Sequence, residues 1–64
     1  MNILKALRVL HGLRQKDLAY KVGRSRPWVS LVENGKLEPQ REEAEKIAKV
    51  LRIDSERLFD TYRV

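Results

Sequence analysis

The chain contains no cysteine. Neither a disulfide framework nor a thiolate metal site can therefore hold it together. It has one histidine, His11, which cannot build a metal cluster alone, so neither a metal nor a cofactor is expected. No apolar run approaches the roughly 20 residues of a membrane span. The N-terminus mixes charged and apolar residues without a cleavable apolar block, and the expectation is a cytoplasmic protein with no membrane partner. Catalytic patterns are missing too. There is no phosphate-binding glycine loop, no nucleophile with a neighbouring base and no metal-ligand spacing, which argues against an enzyme. The chain also lacks repeats, low-complexity tracts and strand-like alternation of apolar and polar residues. What remains is an all-α protein of 64 residues, read as a single domain over 1–64 with a thin core.

Positive charge is unevenly placed. Residues 1–36 hold eight Lys/Arg and two Asp/Glu, a net +6, and residues 37–64 hold six Lys/Arg and seven Asp/Glu, a net −1. A basic half of this kind is the electrostatic footprint of a polyanion binder.

Five short helices follow from the apolar spacing. Ile3, Leu7 and Leu10, with Leu4 beside them, form one helical face that stops at Gly12. Leu13 folds back toward the core. A second helix is expected from about Gln15 to Val22, burying Leu18, Ala19 and Val22. Arg14 holds its N-cap position and offers no acceptor to the free N–H groups, which leaves a phosphate as one candidate reason for an arginine there. Ser25 is a good N-cap for a third helix. Pro27 fits its first turn, and Asn34-Gly35 is a left-handed stop. A fourth helix runs from about Gln40 to Leu51, with Ala44, Ile47, Ala48 and Leu51 inward. Glu42 and Glu43 suit the positive end of its dipole, and Lys46 and Lys49 follow toward the negative end. Asp54 caps a last helix that turns Leu58 and Phe59 inward and ends near Tyr62.

Most of the information lies in Gln15 to Lys36, QKDLAYKVGRSRPWVSLVENGK. Ala19 is the fifth residue of this stretch, Gly23 the ninth and Val29 the fifteenth. The spacing describes two helices crossing at a sharp angle: a small residue under the crossing, a glycine in the turn, and a β-branched residue filling the crevice. It is a helix-turn-helix, whose second helix is shaped to enter the major groove of DNA.

The chain resembles the phage-repressor and Cro-like class of helix-turn-helix domains, the Xre family. The resemblance spans about residues 4 to 59. It rests on Leu13-Arg14-Gln15, Leu18-Ala19, Val22-Gly23, Ser25-Arg26, Val29-Ser30, Glu33-Asn34-Gly35-Lys36, Pro39, Ile47-Ala48 and Leu58-Phe59. It implies a compact five-helix, lambda-repressor-like fold and a sequence-specific regulator of transcription that binds double-stranded DNA. By the same resemblance, Gln15 bonds a phosphate, and Asn34 and Lys36 form a loop that clasps another. Ser25, Arg26 and Pro27 match the start, and Ser30 and Leu31 the next turn, of a recognition helix of about 26–33 that faces base edges, and Arg8 and Glu33 form a charged pair joining the first helix to the third. Three residues depart from the family pattern. Leu31 stands where a polar or basic residue is frequent and can touch only a thymine methyl or read shape. Trp28 replaces a small polar residue, and Arg41 an apolar one.

Several readings stay open at this point. Arg26 matches the two major-groove acceptors of guanine, or else contacts a phosphate. Trp28 covers a sugar-phosphate edge or packs on its neighbours. Arg24 is a phosphate ligand or an idle surface charge, and Arg14 faces DNA or does not. A module this small has little contact area, so a weak homodimer on a two-fold operator is expected. Phe59, Tyr62 and Val64 are the expected contact surface. The alternative is a protein-interaction module, antitoxin-like or an adaptor, on the same fold without DNA. The charge asymmetry and the presence of Gln15, Asn34 and Lys36 favour DNA.

Overall fold

The computed structural model describes residues 3–59. They form five helices and, among the described residues, no strand: α1 Leu4–Leu10, α2 Gln15–Val22, α3 Arg26–Glu33, α4 Arg41–Leu51 and α5 Ser55–Leu58. The core is a single cluster of Leu4, Leu18, Ala19, Val22, Val29, Val32, Ile47, Ala48, Leu51, Leu58 and Phe59. Every helix contributes to it. The helix α2 is central and packs against both α3 and α4, while α5 packs against α4. A fully buried Leu, Ile or Val contributes about 1.5–3 kcal/mol, and each helix supplies one or two such side chains to the core.

The helix α2 ends in Gly23, whose left-handed backbone (φ +72°) lets the Arg24 amide donate back to the Ala19 carbonyl at 2.8 Å. This six-to-one bond turns the chain sharply into α3. The same bond closes α1, from Leu13 to Arg8, and α4, from Ile53 to Ala48. At the end of α4 the left-handed residue is Arg52, with φ +56°, and not a glycine. Nothing in the local sequence marks that position as a helix stop; the burial of Leu51 and the packing of Ile53 on the core fix it.

Three expectations need correction. Leu10 is 80% exposed and Ile3 lies on the surface, while Leu4 and Arg8 are buried and Leu7 half-buried. The inward face of α1 is thus turned about a quarter-turn from the purely apolar one, because Arg8 must reach a buried carboxylate on α3. Phe59 is 5% exposed and belongs to the core, so it offers no contact surface to a second copy. Tyr62 and Val64, and the expected helix end near Tyr62, lie outside the described residues. Asp54 occupies the N-cap of α5 without a side-chain cap bond. Arg41 opens α4 on the surface and pairs with Glu45 one turn on, at 3.5 Å, so its polarity does not disturb the packing of that helix.

Ala19 is 3% exposed beneath the α2–α3 crossing. Ala19→Leu should lower stability by about 1–3 kcal/mol through overpacking. The check is a denaturant melt monitored by circular dichroism, in which the midpoint should fall.

Candidate nucleic-acid interface

The helix α3 divides cleanly. Val29, Val32 and Glu33 point into the protein, while Arg26, Pro27 and Leu31 are exposed and Ser30 is half-exposed. One-turn steps (26, 30 and 34; 27 and 31) place the outward residues in a single stripe, which Asn34 extends past the helix end. At the start of α3, Ser25 Oγ accepts the Trp28 amide at 3.3 Å. At its end, the Asn34 amide donates to the Ser30 carbonyl at 2.8 Å and approaches Ser30 Oγ at 3.4 Å. Side-chain hydrogen bonds thus cap the helix that carries the stripe at both ends. Lys36 follows on the surface, its backbone amide bonded to the Leu31 carbonyl at 2.9 Å.

Behind the stripe sits a buried polar node. The Glu33 carboxylate, 2% exposed at its side chain, accepts from Arg8 Nε at 2.5 Å and from Arg8 Nη2 at 3.4 Å. It also accepts from the Gln15 amide at 3.0 Å. A further Arg8 nitrogen, Nη1, donates to the Leu13 carbonyl at 2.7 Å. Gln15, the first residue of α2, is thereby held against the last turn of α3. Its amide has two N–H donors and one oxygen, so the bond to Glu33 leaves a second donor in a fixed orientation.

The other end of α3 is tied to α4. Arg24, in the turn before α3, forms an ion pair with Glu43 on the first turn of α4. Its guanidinium lies 5.5 Å from the centre of the Trp28 ring, a cation–π distance. Trp28 itself is half-buried and packs against the core. Of its two open readings, packing on neighbours is the one its surroundings display. The cluster escaped sequence reasoning because Arg24 and Glu43 are far apart in the chain and share no helical face.

Arg14 also has a local partner. Asp17 accepts from the Arg14 backbone N–H at 2.9 Å and from Arg14 Nε at 3.2 Å. This is the acidic half of a capping box, run from N3 back to the N-cap. Asp17, three residues after Arg14, was a visible signal for it. The Arg14 backbone N–H, followed by the Arg14 side chain, holds the Asp17 carboxyl below the ordinary aspartate value.

The arginines in and around the motif thus differ in their partners. Arg8, Arg14, Arg24 and Arg41 each meet a carboxylate. Arg26, on the exposed stripe, meets none among the described residues, and the same holds for Lys36. His11 is exposed at the end of α1. Among the described residues no group of His, Asp or Glu is arranged to hold a metal ion, and no helix is long and apolar enough to cross a membrane.

Residues 3–60 match the family model described as a helix-turn-helix domain, and the chain belongs to that family, in its phage-repressor and Cro-like branch. It is similar to an uncharacterised HTH-type transcriptional regulator of Methanocaldococcus jannaschii, with 45% identity over 58 residues that cover 91% of this chain and 88% of the relative. Among solved structures it is similar to the restriction-modification controller protein C.AhdI from Aeromonas hydrophila, at 36% identity and a TM-score of 0.78, covering 88% of this chain and 81% of that one. A hypothetical transcription factor, NHTF, from Neisseria gives 31% identity and a TM-score of 0.78, covering 86% of this chain and 62% of the other.

The depressed Asp17 carboxyl has a pH signature. Because its folded-state value lies below the unfolded one, its contribution is complete above about pH 4, where unfolded aspartate is ionised. It is lost as pH falls through the folded value. Asp17→Asn should remove that part of the acid-side loss and leave stability at neutral pH lower than in the parent chain. Melting temperatures of both proteins from pH 2 to 7 check this.

Proposed function

We propose that the protein is a sequence-specific, double-stranded DNA-binding regulator of transcription, with α3 seated in the major groove. The observation that carries the reading is the contrast between arginines. The outward stripe of α3 presents a cation, Arg26, that no carboxylate among the described residues neutralises, whereas Arg24, the motif's other arginine, is paired with Glu43. An unpaired cation at the N-terminal end of a capped, exposed helix is suited to an anionic, grooved partner.

Roles divide by position. Gln15, Asn34 and Lys36 flank the stripe and bond phosphates, setting register. Ser25, Arg26, Pro27, Ser30 and Leu31 face the base edges. Arg26 reads guanine through its paired donors, and Leu31 contacts a thymine methyl. A relative named as a transcriptional regulator and a solved structure named as a restriction-modification controller support the reading of the protein as a regulator. The working form is a homodimer on a two-fold operator with half-sites about one helical turn apart. The protein acts by binding and not by catalysis, and it works in the cytoplasm.

Selection of bound duplexes from a random pool tests the reading, since it returns binding, symmetry and half-site spacing together. On the selected site, Lys36→Ala should weaken all sequences alike and lower the magnitude of the salt slope by about one unit. Arg26→Ala should act differently and relax a G·C preference at one half-site position by about 1–3 kcal/mol. A pool with no enrichment, or an Arg26→Ala loss uniform over all sequences, contradicts the assignment.

A further inference from the structure

Glu43 is placed unlike the other carboxylates of α4. Glu42 and Glu45 are exposed, whereas the Glu43 side chain is only 12% exposed. One of its oxygens, Oε1, accepts the Gln40 backbone N–H at 2.9 Å and anchors the carboxylate on the first turn of α4. The other, Oε2, is buried, accepts no hydrogen bond among the described residues and meets Arg24 as an ion pair. Arg24 is 48% exposed at its side chain and lies over the Trp28 ring. It sits two residues before α3, on the edge that the proposed docking turns toward the DNA backbone.

We propose that Glu43 is a built-in competitor for the DNA backbone: it occupies Arg24 inside the protein and keeps that cation from neutralising a phosphate. The inference rests on the DNA-binding reading above. An anchored, largely dry carboxylate outcompetes a phosphate across solvent, because giving up Arg24 leaves the carboxylate unpaired where water solvates it poorly. Trp28 adds a second attraction on the same guanidinium. Arg24 is accordingly a strut between the turn, α3 and α4, and Glu43 sets how many phosphates the protein engages. The effect is to limit non-specific affinity, which comes from phosphate contacts, without touching the residues that read bases.

The test is the dependence of duplex affinity on salt, measured by fluorescence anisotropy on a selected site. Glu43→Gln keeps an oxygen for the Gln40 amide and removes only the charge. It should steepen the slope of log K against log salt by about 0.9, the value of one added phosphate, and raise affinity about 5–10-fold near 0.1 M salt. Arg24→Gln alone should leave the slope unchanged, and adding it to Glu43→Gln should cancel the gain. Glu42→Gln, in the same turn, controls for loss of one negative charge and should shift the slope by less than half as much. The proposal is overturned if Arg24→Gln alone lowers the slope by about 0.9, if Glu43→Gln leaves it unchanged, or if Glu42→Gln matches Glu43→Gln. Unmodified protein that binds no duplex defeats the functional reading along with this one. Ordinary binding with any of those three outcomes defeats this one only.

Discussion

The buried carboxylate of Glu33 is the constraint on which the rest of the arrangement depends. A carboxylate at 2% side-chain exposure must be paired and hydrogen-bonded. In a domain this small, few groups can do it. Arg8 comes from α1 and Gln15 from the start of α2, so satisfying one side chain fixes three helices. Arg8 also bonds the Leu13 carbonyl, which extends the constraint into the α1–α2 turn. Such a node is a poor source of net stability, since a well-packed apolar replacement is often equal or better. Its effect is geometric. It sets the rotation of α1 at the expense of Leu10, which is left in water, and it holds the Gln15 amide beside the exposed stripe of α3.

A second tie acts at the opposite end of the same helix. Arg24, Trp28 and Glu43 join the turn and the first turn of α3 to α4. The helix α3 is thus held by Glu33 near its C-terminus and by this cluster near its N-terminus, with Val29 and Val32 buried between. The same pairing sorts the charge. Within residues 1–36, Arg8 and Arg14 pair with carboxylates of the same stretch and Arg24 with Glu43 of α4, while Arg26 and Lys36 are among the cations that meet no carboxylate among the described residues. Net charge alone does not describe this surface; which cations are already occupied does.

The helix-turn-helix was legible because its determinants are local. The sizes of Ala19 and Val29, the backbone freedom of Gly23 and the caps at Ser25 and Asn34-Gly35 all act within a few residues. The helices α2 and α3 accordingly fall where their spacing places them. The face of α1 was misjudged because apolar periodicity does not register an arginine whose burial depends on a glutamate 25 residues away. Phe59 was assigned both inward and to a contact surface, and only packing against the other helices decides for the core. The stop at Arg52 violates the local preference for glycine and is held by its flanking core residues. The Arg24–Glu43 tie was invisible for the reason that governs all such errors: it joins elements brought together only by folding.

The Arg8–Glu33 pair acts as a unit that positions α3. A double-mutant cycle in chemical denaturation addresses it most directly, using Arg8→Met and Glu33→Leu. Each single replacement should destabilise by about 3–5 kcal/mol, because it strands a buried charge, and the double variant should be more stable than either single one. Single losses below about 1 kcal/mol that simply add in the double variant would contradict it.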